Sequence, residues 1–404
     1  MSRARIAVAE LELAAPLEAL ALDAPARSAL ILARLHGRPV GWLHVATDSA
    51  DRIDGESLRE AIVGQLGWTL TPSLITGAVR PQLAVPPDPP PIAVVVCSRD
   101  RPDELNGCLT AVRALRYPCF EVVVVDNASR DERTAGVAAR HGVRCVREPL
   151  PGLDRARNRG IAETTQPVIA FTDDDARPDP LWLAAIAEAL REPSVAAVTG
   201  LVGPLELETE AQMLFEFGYR GMAKGFAPFH ADRRVWPTRE VLRIQRVGVG
   251  ANMAFRRSVF DEVGGFDPAL DVGTPSHGGG DLELLHRVVA AGLIVRYEPS
   301  ALVWHRHRRT LDALERQLRA DGRAYSIYLM RTFAAGTVRR SAVLVFAYRD
   351  WIRWLVRRTV RAARGREPLP FRLVFAPIRG VLSAPTGALR TSWAARRLDR
   401  VRAR

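Results

Sequence analysis

Three short runs constrain this chain more than anything else in it: IAVVVC (92–97), EVVVVD (121–126) and PVIAFT (167–172). Unbroken stretches rich in β-branched residues mark strands buried on both faces, the environment of a parallel sheet. Between the first two, Leu105, Cys108, Leu109, Val112 and Leu115 keep helical spacing, and Pro102 suits a first helical turn. A helix over 130–141 ending at Gly142, a strand at 143–146 and a helix over 153–164 complete the predicted series. Strand and helix alternate throughout, and right-handed crossovers turn such a series into an open α/β sheet. Ligands of these sheets lie outside the carboxyl ends of the strands, so the residues just after each strand deserve reading first.

After the first strand stands Ser98-Arg99-Asp100, with no glycine-rich dinucleotide loop and no P-loop, which excludes most dehydrogenases and P-loop NTPases. After the second comes Asp126, placed either to accept hydrogen bonds from a nucleotide or to cap the following helix. After PVIAFT come Asp173, Asp174 and Asp175. Three adjacent carboxylates repel one another unless a cation or donors compensate. Alternation puts Asp173 and Asp175 on one side, able to converge on a hard divalent ion, whereas capping the helix predicted near Pro180 needs one Asp. Farther on, Asp281 follows three glycines and opens an amphipathic helix. The glycines permit close approach of a ligand, and Asp281 reads as a general base or an N-cap.

These pieces resemble the family 2 glycosyltransferases. The resemblance runs from about 92 to 308 through VVVCSRDRP, VVVVDNAS, LPGLDRARNRGI, FTDDDARP, GANMAFRR, GGFDP, GGGDLEL and VWHRHR, in the family's order. It implies a GT-A fold, a Rossmann-like open mixed sheet with helices on both faces, and inverting transfer from a nucleotide-diphosphate-sugar with Mn²⁺ or Mg²⁺. By the resemblance, Ser98, Arg99, Asp126, Arg157, Asp173 and Asp174 would line the nucleotide-sugar site. Asp175, Asp173 and His305 would hold the metal, and Asp281 would be the catalytic base. The Glu that precedes this aspartate in the family is Gly280 here, so Glu283, Asn252 and Trp236 are the candidates for meeting the acceptor. Trp236 can equally anchor a loop.

Around this unit (92–310) the sequence predicts a small α+β module over 1–80, with two strands about a Gly-Arg-Pro turn (29–46) and a helix (56–66). A proline-rich linker (81–91) follows it, and an Arg-rich helical region spans 311–404. The net charge of +12 is uneven: residues 301–404 carry +18 and residues 1–300 carry −6. Lys224 is the single lysine, which reads as a coding bias toward Arg. Arg349, Arg353, Arg357 and Arg361 recur every four residues beside Trp351, Trp354 and Leu355. A second stretch (371–382) spaces Phe371, Val374, Phe375 and Ile378 helically, with Pro377 inside it. Arg against aromatic and aliphatic side chains suits helices lying on an anionic membrane surface, the alternative being that both pack on the catalytic domain with solvated arginines. The membrane reading makes a glycan or lipid-linked acceptor the expected partner and nucleic acid an unexpected one. Glu10 and Glu12 break any signal-peptide core, no apolar run reaches the roughly 18 residues of a spanning helix, and four scattered cysteines form no CxxC pair. The expected location is therefore cytoplasmic, peripheral on the inner face of the plasma membrane. Two other enzyme or binding classes remain: a sugar-phosphate nucleotidylyltransferase, disfavoured by SRDRP, and a non-catalytic nucleotide-sugar or glycan binder.

Overall fold

A computed structural model describes residues 5–47, 51–76 and 79–390. The end of the basic tail, 391–404, lies outside the described residues, as do 1–4, 48–50 and 77–78. The predicted series forms as β4 (Ile92–Ser98), α2 (Pro102–Arg113), β5 (Phe120–Asn127), α3 (Arg133–Arg140), β6 (Arg144–Glu148), α4 (Leu153–Ala162) and β7 (Val168–Asp173). It follows β1 (Ile6–Glu12), β2 (Ser28–Leu35), β3 (Arg38–Ala46) and α1 (Gly55–Thr76). The chain continues through β8 (Ala176–Pro178), α5 (Trp182–Ala189), β9 (Val195–Pro204), β10 (Phe229–Ala231), β11 (Asn252–Arg256), α6 (Gly280–Ala290) and β12 (Ile294–His305).

Among the described residues β4–β12 form one nine-stranded sheet in the order β8-β12-β9-β11-β7-β4-β5-β6, with β10 added on β12. It is mixed: β4 runs parallel to β5 and β7, while β11 lies antiparallel between β7 and β9. Val94 and Val96 of β4 join a core with Leu105, Leu109 and Trp182, and Val95 joins a second core with Phe171, Phe255 and Leu284. Period-two alternation therefore feeds two layers of helices, which is why the strand sequences show no polar side. Helix α3 begins three residues later than expected, because Ser129 donates its backbone N–H to Asp126 and holds the preceding turn.

In the N-terminal part, His36 and Gly37 both have positive φ, so the hairpin turns in two residues and Arg38-Pro39 already belong to the return strand. This sheet is fastened to the larger one. Arg34 pairs with Asp179 at 2.5 Å, Arg38 with Glu188 at 2.8 Å, and Trp42 meets Trp304 edge-on. The proline-rich stretch is pinned at both ends: Leu83 is buried and bonds His36, while Tyr117 donates to the Pro90 carbonyl.

C-terminal to the sheet lie α7 (Leu311–Ala335), α8 (Arg340–Phe346), a π-helical turn (Ala347–Ile352), α9 (Arg353–Ala363) and α10 (Phe371–Leu382). Here the expectation for 371–382 needs correcting. Leu373, Val374 and Pro377 are buried, and Leu373 and Val374 pack with Leu314 and Leu318 of α7 and with Phe215, so α10 is mostly core and not a membrane face. Two glycines make this possible. A β-carbon on Gly322 would strike the Pro377 backbone, and one on Gly380 would strike Arg319. Replacing Gly322 with Ala should force the two helices apart and cost about 1–3 kcal/mol by overpacking, read as a lower urea midpoint.

Candidate active site

The register of the sheet sets the site. Ser98 lies beside Asp126 and Cys97 beside Asp173, so the carboxyl ends of β5, β4 and β7 form one edge. Strand β12 delivers His305 to the same edge by way of β8, whose Ala176 pairs with it. Asp173, Asp175 and His305 each offer one ligand atom, all within 4.8 Å of one another. His305 Nε2 stands 3.2 Å from Asp175 Oδ1. Two neighbouring ligands about 2.1 Å from one octahedral ion stand about 3 Å apart, so this spacing suits a shared divalent cation. Its other ring nitrogen faces His307 Nδ1 at 3.2 Å, and His307 Nε2 meets Glu216 at 3.0 Å, a chain that orients the imidazole.

Charge explains why this acidic edge is stable. Burial disfavours the ionised form of Asp175, yet His305, Arg101 and Arg308 together hold its carboxyl well below the usual range. Arg101 reaches Asp175 at 2.8 Å, and Arg308 reaches it at 3.4 Å. Asp174 serves a different purpose from the one expected. Its oxygens accept from Ser98 Oγ at 2.8 Å and Arg101 at 2.6 Å, all within the fold, and burial pushes its carboxyl up to about 7. Ser98 and Asp174 therefore hold each other and do not present themselves to a ligand. Asp126 is likewise engaged, by the Ser129 N–H at 3.0 Å and Arg147 at 2.8 Å. Arg99 stays largely exposed at this edge.

Arg157 was expected near the nucleotide or diphosphate. It is buried instead, with Nη1 2.7 Å from Asp271 and 3.1 Å from Asp154, and Nη2 3.7 Å from Asp173. Asp281 lies next to it, part-exposed at the start of α6. Asp281 Oδ2 accepts the Gly250 N–H at 2.7 Å, and Oδ1 accepts that of Leu282 at 2.8 Å. A β-carbon on Gly250 would stand 2.5 Å from Arg157 and 3.3 Å from Asp281, so both side chains converge on that glycine. Burial and Asp271 raise the Asp281 carboxyl, opposed by Arg157 and the two N–H groups. The glycines before it serve packing. Gly278 and Gly279 have positive φ and lie against Ala324 of α7, while any side chain at Gly280 would overlap the Asp154 carboxylate.

Of the three acceptor candidates, Asn252 and Trp236 are engaged within the fold, and Glu283 is engaged through Oε1 while its Oε2 has no hydrogen-bond partner among the described residues. Asn252 is buried, accepts the Trp182 indole N–H and donates to the carbonyls of Leu201 and Ala301, so it staples the sheet. Glu283 pairs with Arg287 at 2.7 Å one turn along α6. Trp236 stacks on Phe229 as a loop anchor. Sequence reading missed Arg101, Asp154, Asp271, Arg308 and Lys224. The last carried a signal. The single lysine of the chain lies within electrostatic range of Asp281, and partial withdrawal from water pulls its ammonium down to about 8.

Residues 93–264 match the family model described as glycosyl transferase family 2. Over this stretch the chain is similar to family 2 glycosyltransferases. The match ends before Asp281 and His305. A pre-mycofactocin glycosyltransferase of Mycobacterium tuberculosis is 28% identical over 284 residues, covering 69% of this chain and 56% of that protein. The chain thus spans little more than half the length of this relative. Glycosyltransferase AglE of Haloferax volcanii is 24% identical, covering 65% of the chain and 80% of the relative. Among solved structures, a mannosyltransferase from Pyrobaculum calidifontis in complex with GDP-Man and Mn²⁺ is similar at 17% identity and a TM-score of 0.47, covering 81% of this chain and 97% of that one.

Arg157 is the buried cation that pairs with the carboxylates of Asp154, Asp173 and Asp271. Arg157→Met strands Asp154 and Asp271 and should destabilise the fold by about 3–5 kcal/mol. Burial already raises the Asp154 carboxyl well above its ordinary value, with only Arg157 opposing. The folded variant therefore holds protons that the unfolded chain has released, and its stability falls as pH rises above about 4. Urea midpoints higher at pH 5 than at pH 8, relative to wild type, are the expected result.

Proposed function

We propose that this glycosyltransferase is an inverting, metal-dependent enzyme that moves a sugar from a nucleotide-diphosphate-sugar to an acceptor hydroxyl. The catalytic unit is 92–310, with 1–80 an accessory module. One observation carries the reading: Asp173, Asp175 and His305 converge at the strand ends, and Arg157 ties this cluster to the part-exposed Asp281. Two carboxylates and an imidazole form a donor set suited to Mn²⁺, and the carboxylates also suit Mg²⁺. When bound, the cation would neutralise the charge that develops on the departing diphosphate.

The remaining work falls to the side chains of this chain. Asp281 takes the acceptor hydroxyl's proton as the oxygen attacks the anomeric carbon on the face opposite the leaving group, which inverts configuration in one displacement. A carboxyl raised by burial is a stronger base than one in water, and the Gly250 and Leu282 N–H groups fix its orientation. Arg157 keeps the surrounding carboxylates from repelling incoming phosphate. Of the edge arginines, Arg308 is the freer to meet the donor, since Arg101 is committed to Asp174 and Asp175. We further infer an acceptor from cell-envelope or other glycan synthesis, glycan or lipid-linked, met at the inner face of the plasma membrane. The +18 of residues 301–404 supports that location.

The protonated form of Asp281 is inactive as a base, so transfer should fall as pH drops through its raised pKa. Asp281→Asn should lower turnover by roughly 10²–10⁴-fold while leaving donor-induced thermal stabilisation intact. Asp175→Ala should remove both activity and its dependence on added Mn²⁺ or Mg²⁺. A thermal-shift panel of UDP-, GDP- and dTDP-sugars with each cation identifies the donor. Wild-type turnover in Asp281→Asn, or full activity in EDTA, would overturn the assignment.

A further inference from the structure

Helices α8 and α9 and the π-turn between them form one continuous rod, Arg340 to Ala363, and its two sides differ sharply. The inner side is seated on the protein. Val343 and Phe346 enter the core, Trp351 packs on Tyr325 at 4.7 Å, and Leu355 is buried. The outer side carries Leu344, Tyr348, Ile352, Val356 and Val360, exposed by 60%, 64%, 42%, 52% and 41%. Beside that column runs a second one of exposed guanidinium groups: Arg349, Arg353, Arg357 and Arg361.

A repeat of four does not stay in line on an ideal α-helix, because each step overshoots a full turn by about 40°. The π-turn at Ala347–Ile352 takes more residues per turn and removes that drift over Leu344, Tyr348 and Ile352. The rod's irregularity thus aligns the first half of the apolar column, while Ile352, Val356 and Val360 turn gradually around α9. Asp350 is the only acid between 340 and 365, and it faces inward onto Arg239 and Arg243. Among the described residues the outer face is apolar and cationic, except where Arg361 lies 3.6 Å from Glu367.

We propose that this face docks on an anionic lipid bilayer, with the apolar column in the acyl boundary and the arginines at the phosphates. The proposal sharpens the membrane location inferred above and rests on that reading only for where the acceptor is met. Apolar side chains at the centre with Arg stems rising beside them are what an interfacial helix requires. A second copy on the same face would set Arg column against Arg column. Nucleic acid would leave the apolar column without a partner. Neither complements both columns as an anionic bilayer does.

The test is flotation of the full chain with phosphatidylcholine vesicles, alone or with about 30% phosphatidylglycerol, alongside the nucleotide-sugar thermal-shift panel. Binding is expected only to the anionic vesicles and should weaken with salt. Arg353→Gln and Arg357→Gln should each lower partitioning roughly 5-fold. The pair Ile352→Glu and Val356→Glu should abolish it with all arginines kept, while thermal stability and donor shifts match wild type. Wild type left unbound by anionic vesicles, or undiminished flotation of the Ile352→Glu, Val356→Glu variant, overturns the proposal. So does a dimer that this variant dissolves, salt-sensitive DNA binding that Arg353→Gln weakens, or equal binding to neutral vesicles. Flotation without any nucleotide-sugar response would sink the enzyme reading and leave this one standing.

Discussion

The guanidinium of Arg157 is the interaction on which the site depends. It lies buried among Asp154, Asp173 and Asp271, with Asp281 nearby, and each of those carboxylates comes from a different element or loop. Without it, the ends of β7, the start of α4, the loop at 271 and the start of α6 would meet as like charges in a space where water cannot screen them. A single planar cation with several donors can serve three acids at once, which a lysine cannot do with the same geometry. The position of Asp281 relative to the metal cluster is therefore an electrostatic consequence of Arg157 as much as a consequence of the backbone.

What the sequence disclosed follows from this division between backbone and side chain. The strands at 92, 121 and 167 were legible because burial on both faces leaves an unmistakable run of Val and Ile, and strand ends locate ligands by topology. Asp173, Asp175 and Asp281 were legible for the same reason. The surroundings of Asn252, Glu283 and Trp236 were not legible, because a polar or aromatic side chain near a site looks the same in sequence whether it faces a ligand or a neighbouring carbonyl. Asn252 accepts the Trp182 indole N–H and donates both amide hydrogens to backbone oxygens, and only three-dimensional proximity across positions 182, 201 and 301 shows that. Arg157 was recognised as important but given the wrong partner, since three of its four acidic neighbours lie at positions 173, 271 and 281, remote in sequence.

The C-terminal region shows the same limit in another form. Periodicity marked both 349–361 and 371–382 as amphipathic, and could not say which apolar face was covered. The decision lies with glycine. Gly322 and Gly380 let α7 and α10 approach backbone to backbone, so α10 becomes core. Among the described residues no such contact covers the outer side of α8 and α9, and that side keeps its apolar column exposed.

Gly280 follows a related logic and accounts for a departure from the family's pattern. A side chain at 280 is incompatible with Asp154, whose carboxylate occupies the space a β-carbon there would need. An acidic group therefore still sits beside the base, but it arrives from α4 instead of from the residue preceding Asp281. Asp154 is fully buried and bonds Arg157, so it acts on the charge balance around Asp281 and does not touch an acceptor. The acceptor's other contacts must then come from groups that remain open near the base. Lys224, the one lysine in a chain that otherwise uses Arg, and Asp321 are groups whose charges reach Asp281 from outside the Arg157 cluster. A compact ammonium there would favour the ionised form of the base, opposing the upward pull of burial and of Asp271. The charge state of Asp281 thus answers to both signs: Arg157, the two N–H groups and Lys224 favour its ionised form, while burial, Asp271 and Asp321 oppose it.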